Sequence, residues 1–135
     1  MKMLIKNGRV INPSTGLDGV KDILIVDGLI AKVENEITDK ADKIIDAGGL
    51  WVTPGFIDLH VHFREPGFEH KETIETGSRS AAKGGFTTVC CMPNTEPTID
   101  SKEVVQFVKN RAQEKAIVNI LVVGSITKGL QGEKL

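Results

Sequence analysis

The sequence lacks the features by which several classes of protein are recognised. Its 135 residues carry a formal net charge of −1, so no basic excess indicates a nucleic-acid partner. No apolar run approaches the length of a membrane helix, and the N-terminus lacks the long apolar segment of a signal peptide. The two cysteines do not form a CxxC pattern. We therefore expect a cytoplasmic protein that binds neither nucleic acid nor membrane.

The two cysteines, Cys90 and Cys91, are neighbours within a run that predicts a strand. Adjacent side chains in a strand point to opposite faces, so the two thiols are poorly placed to bond to each other. We interpret both as packing residues. A metal-binding role is the weaker alternative, because neither belongs to a spaced cysteine pair.

The first 52 residues contain short strand-like runs separated by turn residues. Asp27-Gly28 divides one of these runs and is a strong hairpin signal. Short strands at this close spacing predict a small antiparallel β domain over residues 1–52. The alternative is an edge sheet without a fold of its own. The strand-like runs are residues 3–10, 22–33, 43–46 and 50–53.

After Pro54 the pattern changes to alternating strands and helices. Gly84-Gly85 is a stop signal for the first helix, and Ser101 is a candidate N-cap for the second. Strand, helix, strand, helix, strand is the rhythm of right-handed parallel βαβ units. We therefore predict an α/β fold for residues 53–135. The predicted strands are 55–61, 86–92 and 117–123, and the predicted helices are 71–83 and 101–115.

Two histidines stand at the end of the first of these strands. His60 and His62 are two residues apart, so in an extended strand their imidazoles lie on one face and can converge on one ion. Imidazole is a common zinc ligand, and catalytic zinc sites keep one position open for water. Asp58 shares this parity, and we interpret it either as a hydrogen-bond partner of a ligand histidine or as a buried structural carboxylate. Two alternating histidines on a half-exposed strand are the alternative to a metal site.

The motifs of this region carry a family resemblance. Residues 55–67, together with GGFTT at 84–88 and MPNT at 92–95, resemble the start of a dihydroorotase of the amidohydrolase superfamily. The His-x-His pair marks the superfamily, whereas REPG at 64–67 combined with MPN at 92–94 is the more specific feature. Related hydantoinases and allantoinases share the histidines but generally not both of those features.

The resemblance implies an enzyme, its cofactor and its fold. The implied activity is metal-dependent, reversible hydrolysis of the cyclic amide of dihydroorotate to N-carbamoyl aspartate in pyrimidine biosynthesis, with one or two zinc ions (Zn2+) as cofactor. The implied fold is a TIM-type (β/α)8 barrel, of which residues 53–135 supply strands 1 to 3. Residues 1–52 would contribute to a β-sandwich completed by the C-terminal end of the chain.

The resemblance also assigns roles to four residues. His60 and His62 are the implied metal ligands, and Arg64 and Asn94 are the implied ligands of a small-molecule substrate's carboxylate. All four follow strand ends, where barrels of this class carry their active sites. A guanidinium holds both oxygens of a carboxylate, and an amide can donate to the same group. From the residues alone, a surface arginine in a salt bridge and a turn-forming asparagine are the alternatives.

Length sets a further expectation. A (β/α)8 barrel typically needs about 250 residues, and the bridging metal ligand and catalytic carboxylate of the resembled family come from its later strands. We therefore expect no catalytic residue within residues 1–135, and no activity from these residues alone. We expect them to form a homo-oligomer or to associate with a chain supplying the rest of the barrel. The alternatives are another cyclic amidohydrolase, of hydantoinase or allantoinase type, and a non-catalytic truncated homologue with a structural role.

Overall fold

The computed structural model describes all 135 residues and divides them into two units, residues 1–54 and 55–135. The division follows Pro54, two residues after the boundary placed from the sequence. No helix in either unit is both long and apolar enough to cross a membrane.

Five strands form the first unit: β1 (Lys2–Asn12), β2 (Leu17–Val26), β3 (Leu29–Glu34), β4 (Lys43–Asp46) and β5 (Trp51–Val52). They build one sheet in the order β3-β2-β1-β4, and β5 also pairs with β1. The predicted hairpin is confirmed, because β2 and β3 are antiparallel and only Asp27 and Gly28 separate them. Both turn residues have the positive φ angles, 49° and 83°, that a two-residue hairpin turn requires.

The predicted antiparallel domain is wrong in the pairing of the last two strands. Both β4 and β5 pair with β1 in parallel. The cause is residues 35–42, which carry the chain from β3 to the far side of β1 instead of turning back in a hairpin. Ile37 in this connection is buried against Leu4 and Leu24. Strand-like runs predict strands, but the direction of their pairing depends on such a crossing.

A bulge in β1 presents one backbone group to a buried carboxylate. The register with β2 shifts within residues 5–8, where Asn7 has a φ of 62°. The Asn7 N–H donates to Oδ1 of Asp22 at 2.9 Å, and the Ile37 N–H donates to Oδ2 at 3.0 Å. Burial alone would raise the pKa of Asp22, but these two bonds and the nearby Lys6 ammonium outweigh it and lower the pKa. Asp22 thereby ties the bulge to the 35–42 connection.

Three strands and two helices alternate in the second unit: β6 (Phe56–Val61), α1 (Ile74–Lys83), β7 (Phe86–Cys91), α2 (Lys102–Lys115) and β8 (Asn119–Val122). The strands are all parallel, in the order β6-β7-β8. A short 3-10 segment, Lys128–Leu130, follows β8. The prediction of an α/β fold with alternating strands and helices is confirmed over these three strands.

The helix starts agree with the sequence at α2 and correct it at α1. Ser101 is the N-cap of α2, where its Oγ accepts the Val104 N–H. By contrast, α1 begins at Ile74, three residues after the predicted start at residue 71. Thr73 is its N-cap, and Thr73 and Thr76 each accept the other's backbone N–H through their hydroxyls. This reciprocal cap fixes the first turn, so the residues before it belong to the loop.

The core of the second unit lies between the sheet and its helices. Val89 and Cys91 of β7 are buried there with Ile74 of α1 and Val108 of α2. The other sheet face is open: Leu121, which pairs with Cys90 on that face, is 53% exposed. The unit therefore covers one face of its sheet and leaves the other accessible.

Candidate metal and carboxylate site

A bulge at the end of β6 decides which side chains share a face. Asp58 pairs with Val89 and Val61 pairs with Cys91, so three steps along β6 match two along β7. Because Val89 and Cys91 both point into the helix-covered core, their partners Asp58 and Val61 lie on that same side of the sheet. Strict alternation along β6 therefore ends within residues 58–61.

The bulge interrupts the alternation on which the predicted shared parity of Asp58 with His60 and His62 depends. The bulge turns Asp58 toward the helices, and one of its oxygens accepts the His60 backbone N–H at 3.0 Å. Asp58 makes no hydrogen bond to an imidazole. Its carboxylate instead supports the irregular backbone from which His60 projects.

The two histidines lie next to each other at the C-terminal end of β6. The ring centroids of His60 and His62 are 5.1 Å apart, and their planes meet at 66°. Two imidazoles bonded through nitrogen to one tetrahedral zinc ion, at about 2.0–2.1 Å, have centroids about 5 Å apart. The pair therefore fits a shared metal ion. No group of three or more His, Cys, Asp or Glu side chains is placed to hold a metal, so these two supply only part of a coordination shell.

Asn94 meets this pair from the neighbouring strand. Its Oδ1 lies 2.7 Å from Nδ1 of His62. The sheet ladder continues one step past β7, where the Met92 N–H donates to the Val61 carbonyl, and this brings the residues after the two strands side by side. Of the four side chains predicted to converge, the structure joins His60, His62 and Asn94 directly.

Arg64 begins the loop after β6 and has an unusual backbone conformation. Its φ of 63° is left-handed, which non-glycine residues adopt infrequently. Its side chain takes part in no ion pair, so the alternative of a surface salt bridge is not found. Arg64 lies two residues beyond His62 with its charge unpaired, but it makes no hydrogen bond to Asn94.

Glu65 is a residue of this loop whose role the sequence did not reveal. It is 4% exposed, and its carboxylate accepts the Ile74 N–H at 2.8 Å and the Arg111 Nε–H at 2.7 Å. The hydrogen bond to Glu65 raises the pKa of Arg111. One carboxylate thus joins the loop to the start of α1 and to α2. Glu65 lies within the REPG motif, but nothing in the sequence pairs it with an arginine 46 positions away.

The loops after β6 and β7 are also joined to each other. The Glu96 N–H donates to the Pro66 carbonyl at 3.0 Å. Gly67, with a φ of 95°, lies so close to Glu96 that an added Cβ would stand 2.0 Å from the Glu96 carbonyl oxygen. A side chain at position 67 would push the two loops apart. This close approach gives a physical reason for the glycine that ends REPG.

The cysteines take no part in the site. Cys91 is buried in the core, and burial raises the pKa of its thiol to about 11. It is therefore a protonated packing residue at neutral pH, as the sequence indicated. Cys90 faces the other side of β7 and is also a free thiol.

Known families provide an independent comparison. A model of the dihydro-orotase-like family matches residues 49–135. The whole chain is 53% identical to a dihydroorotase of Ruminiclostridium cellulolyticum and covers 32% of it. It is 56% identical, again over its whole length, to a dihydroorotase of Elusimicrobium minutum and covers 31% of that protein. The chain thus spans about a third of the length of the curated relatives it matches.

Solved structures give a related result. The chain is similar to an L-hydantoinase (dihydropyrimidinase) from Arthrobacter aurescens, with a TM-score of 0.82 and 34% identity over 90% of this chain and 27% of that one. It is also similar to a D-hydantoinase from a Thermus species, with a TM-score of 0.75 and 32% identity over 93% of this chain and 28% of that one.

Proposed function

The chain belongs to the dihydroorotase-like family, and from this we propose that the whole protein is a dihydroorotase. It would reversibly hydrolyse the cyclic amide of dihydroorotate to N-carbamoyl aspartate, a step of pyrimidine biosynthesis. The curated relatives that carry this name are about half identical to the chain over its full length. The hydantoinases found among solved structures are amidohydrolases of the same fold but less similar in sequence.

The observation that carries the proposal is the cluster at the C-terminal end of β6 and β7. Two imidazoles at metal-sharing distance and an amide in contact with one of them stand at the edge where parallel α/β folds place their ligands. We further propose that β6, β7 and β8 are the first three strands of a (β/α)8 barrel. The open face of the sheet, where Leu121 is exposed, would then be its interior.

The donor set supports zinc as the cofactor, bound through His60 and His62. Such an ion supplies Lewis-acid activation of an amide carbonyl and of the attacking water. The two histidines would hold and orient it, and their exposure at the strand ends leaves room for the further ligands that it would need. Remaining ligands and a general acid or base would come from residues outside this cluster.

Arg64 and Asn94 would select the substrate. The Arg64 guanidinium has no carboxylate partner within the chain, so it can take both oxygens of a substrate carboxylate. Asn94 can donate its amide N–H groups to the same carboxylate. Together they would hold the ring with its amide directed toward the histidines. Dihydroorotate carries this carboxylate, and a simple cyclic imide or dihydrouracil does not.

The experiment that tests this function is the change Arg64→Ala in the whole protein, assayed on dihydroorotate and on dihydrouracil. We expect kcat/KM for dihydroorotate to fall by a factor that corresponds to about 2–5 kcal/mol of lost transition-state stabilisation. This is the range for removing one partner of a desolvated charge pair. Activity on dihydrouracil, which lacks the carboxylate, should change little. The measurement is steady-state hydrolysis of both substrates by both proteins.

Arg79→Ala is the matched control, because Arg79 is an exposed arginine of α1 that pairs only with Glu75. It should leave both substrates unaffected. Equal losses on both substrates after Arg64→Ala would mean that Arg64 serves the fold or the metal. A wild-type protein that hydrolyses hydantoin or dihydrouracil but not dihydroorotate would favour the hydantoinase alternative instead, which the similarity to hydantoinase structures supports.

A further inference from the structure

The contact between His62 and Asn94 favours one of the two tautomers of the His62 imidazole. An amide oxygen accepts hydrogen bonds and cannot donate them, so the 2.7 Å contact from Asn94 Oδ1 is a hydrogen bond when Nδ1 of His62 carries a hydrogen. In the neutral imidazole the lone pair then lies on Nε2. The contact with Asn94 therefore favours the tautomer that offers Nε2 to a metal ion.

The chain around Asn94 keeps its side chain in this position. Thr95 is 6% exposed, and its hydroxyl donates to the Pro97 carbonyl at 2.7 Å. The Thr95 and Ile99 N–H groups both donate to the Pro93 carbonyl, at 2.9 and 3.1 Å. These bonds close a compact turn directly after β7. Asn94 itself is exposed at the tip of that turn and faces His62.

The other end of the Asn94 amide remains available. Its Nδ2 carries two N–H groups, and neither donates to another group of the chain, because the only side-chain hydrogen bond of Asn94 is the one through Oδ1. Oxygen and nitrogen diverge from the same planar carbon, so one side chain can accept from His62 and donate to a second partner at the same time. That second partner would lie beside the metal ligand.

From this geometry we infer that Asn94, proposed above as a ligand of the substrate carboxylate, has a second role: its oxygen sets the His62 tautomer for metal binding. The inference rests on the proposed function. Asn94 would therefore be a ligand of the substrate and a positioning residue for the metal. A group bonded to the free nitrogen of a ligating histidine typically changes metal affinity by about 10- to 100-fold when removed.

Asn94→Asp separates the two roles in the whole protein. An aspartate has the same shape and still accepts from His62 Nδ1, but it has no N–H and adds a negative charge. We expect zinc affinity, measured by competition with a chelator, to stay within about threefold of the wild type or to tighten. We expect KM for dihydroorotate to rise by at least about tenfold, since a charged hydrogen bond is lost and a repulsion is added. Turnover of dihydrouracil should fall by a smaller factor than turnover of dihydroorotate, because dihydrouracil has no carboxylate for the added charge to repel.

Asn94→Ala removes both roles. Zinc affinity should fall by about 10- to 100-fold, and KM for dihydroorotate should rise as well. In the metal-free protein, nitrogen-15 chemical shifts should show His62 as a single Nδ1–H tautomer in the wild type and as a mixture in the alanine variant. The aspartate variant should keep the wild-type tautomer. A general loss of folding could not produce opposite results for zinc and for dihydroorotate in the aspartate variant.

Asn110→Asp on the exposed side of α2 controls for the added charge and should change none of these measurements. The inference is overturned if Asn94→Asp weakens zinc as much as Asn94→Ala does, or if it leaves KM for dihydroorotate unchanged. A wild-type protein that does not act on dihydroorotate would overturn the proposed function and the carboxylate half of this inference. The zinc and tautomer comparisons would still decide the His62 half.

Discussion

Each of the two units contains one buried carboxylate that accepts a backbone N–H, but the two carboxylates bind different parts of the structure. Asp22, 2% exposed, accepts from the bulge of β1 and from the connection that follows β3. Glu65, 4% exposed, accepts from the first residue of α1 and from Arg111 of α2. In the first unit, Asp22 binds only groups that maintain the fold. In the second unit, Glu65 directly follows Arg64, the proposed ligand of the substrate carboxylate.

The comparison shows that a buried carboxylate can stabilise the fold in one unit and position a functional residue in the other. A left-handed backbone at a residue such as Arg64 costs roughly 1–3 kcal/mol and persists only where its surroundings impose it. Glu65 is tied on both sides, to α1 and to α2, and so fixes the loop directly after Arg64. We therefore expect changes at Asp22 to alter stability alone, and changes at Glu65 to alter substrate binding.

The largest expected effect comes from testing residues 1–135 on their own. The open face of the second unit exposes Ile57 and Leu121, and β6 and β8 each have one unpaired edge. Exposed apolar area costs about 25 cal/mol per Å², so self-association would be favourable. We predict an oligomeric or aggregated chain with weak zinc binding through two imidazoles and no turnover of dihydroorotate.

Size-exclusion chromatography with light scattering and a zinc titration measure this directly. A monodisperse monomer with tight, stoichiometric zinc would contradict the reasoning from the open face and the incomplete ligand set. Turnover by that monomer would show that the second unit needs nothing beyond residue 135.

The next largest effect is expected at Asp22. Asp22→Ala leaves the Asn7 and Ile37 N–H groups without acceptors in a buried place, at a cost of about 1–3 kcal/mol each. We expect the free energy of unfolding of the whole protein, measured in urea, to fall by about 2–6 kcal/mol. Zinc affinity and KM should not change. If Asp22→Ala lowered zinc affinity as well as stability, the expectation that Asp22 affects stability alone would be wrong.

Asp18→Ala is the control on the same strand, because Asp18 pairs with Arg9 at the surface and should contribute little. The pH dependence of stability provides a further test of Asp22. The pKa of Asp22 is lowered from its ordinary value of 3.8, so its contribution is complete above that value and is lost as the pH falls through the lowered one. The stability difference between wild type and Asp22→Ala should therefore shrink only in strongly acidic solution.

A smaller and different effect is expected at Glu65. Glu65→Gln keeps the shape of the side chain but removes the charge that meets Arg111. We expect KM for dihydroorotate to rise by about tenfold, the equivalent of one charged hydrogen bond, as Arg64 loses its fixed position. Dihydrouracil, which does not use Arg64, should be hydrolysed as before. If KM were unchanged and stability were reduced, Glu65 would have a purely structural role, as Asp22 has.

Glu75→Gln is the matched control, since Glu75 lies on α1 and forms an exposed pair with Arg79. It should affect neither KM nor zinc binding. If it raised KM as Glu65→Gln does, the effect would belong to helix α1 as a whole and not to the buried carboxylate.

The elements could be predicted where a local signal fixes them. The Asp27-Gly28 turn and the Ser101 cap are such signals, and both act through residues adjacent in the chain. The predicted start of α1 is three residues too early, because the reciprocal cap of Thr73 and Thr76 sets the first turn of the helix. The pairing of β4 and β5 could not be predicted, because the burial of Ile37 in a crossing connection decides it.

In the candidate site, too, some features could be predicted from the sequence and others could not. His60, His62, Arg64 and Asn94 could be selected from spacing and resemblance, and the contact of His62 with Asn94 follows from the parallel pairing of their strands. The direction of Asp58 could not be predicted, because a bulge has no reliable mark in the sequence and interrupts the alternation on which the prediction depends. The pairing of Glu65 with Arg111 depends on how α2 packs, which no local pattern specifies.

The most direct test of the site is zinc binding by the whole protein and by its three single histidine-to-alanine variants. His60→Ala and His62→Ala should each lower zinc affinity by more than about 100-fold, since loss of a ligand exceeds loss of a group that supports one. His70→Ala removes the remaining histidine, which lies beside Phe68 and outside the cluster, and should bind zinc as the wild type does. A protein lacking both His60 and His62 that still holds zinc at the wild-type stoichiometry would contradict the account.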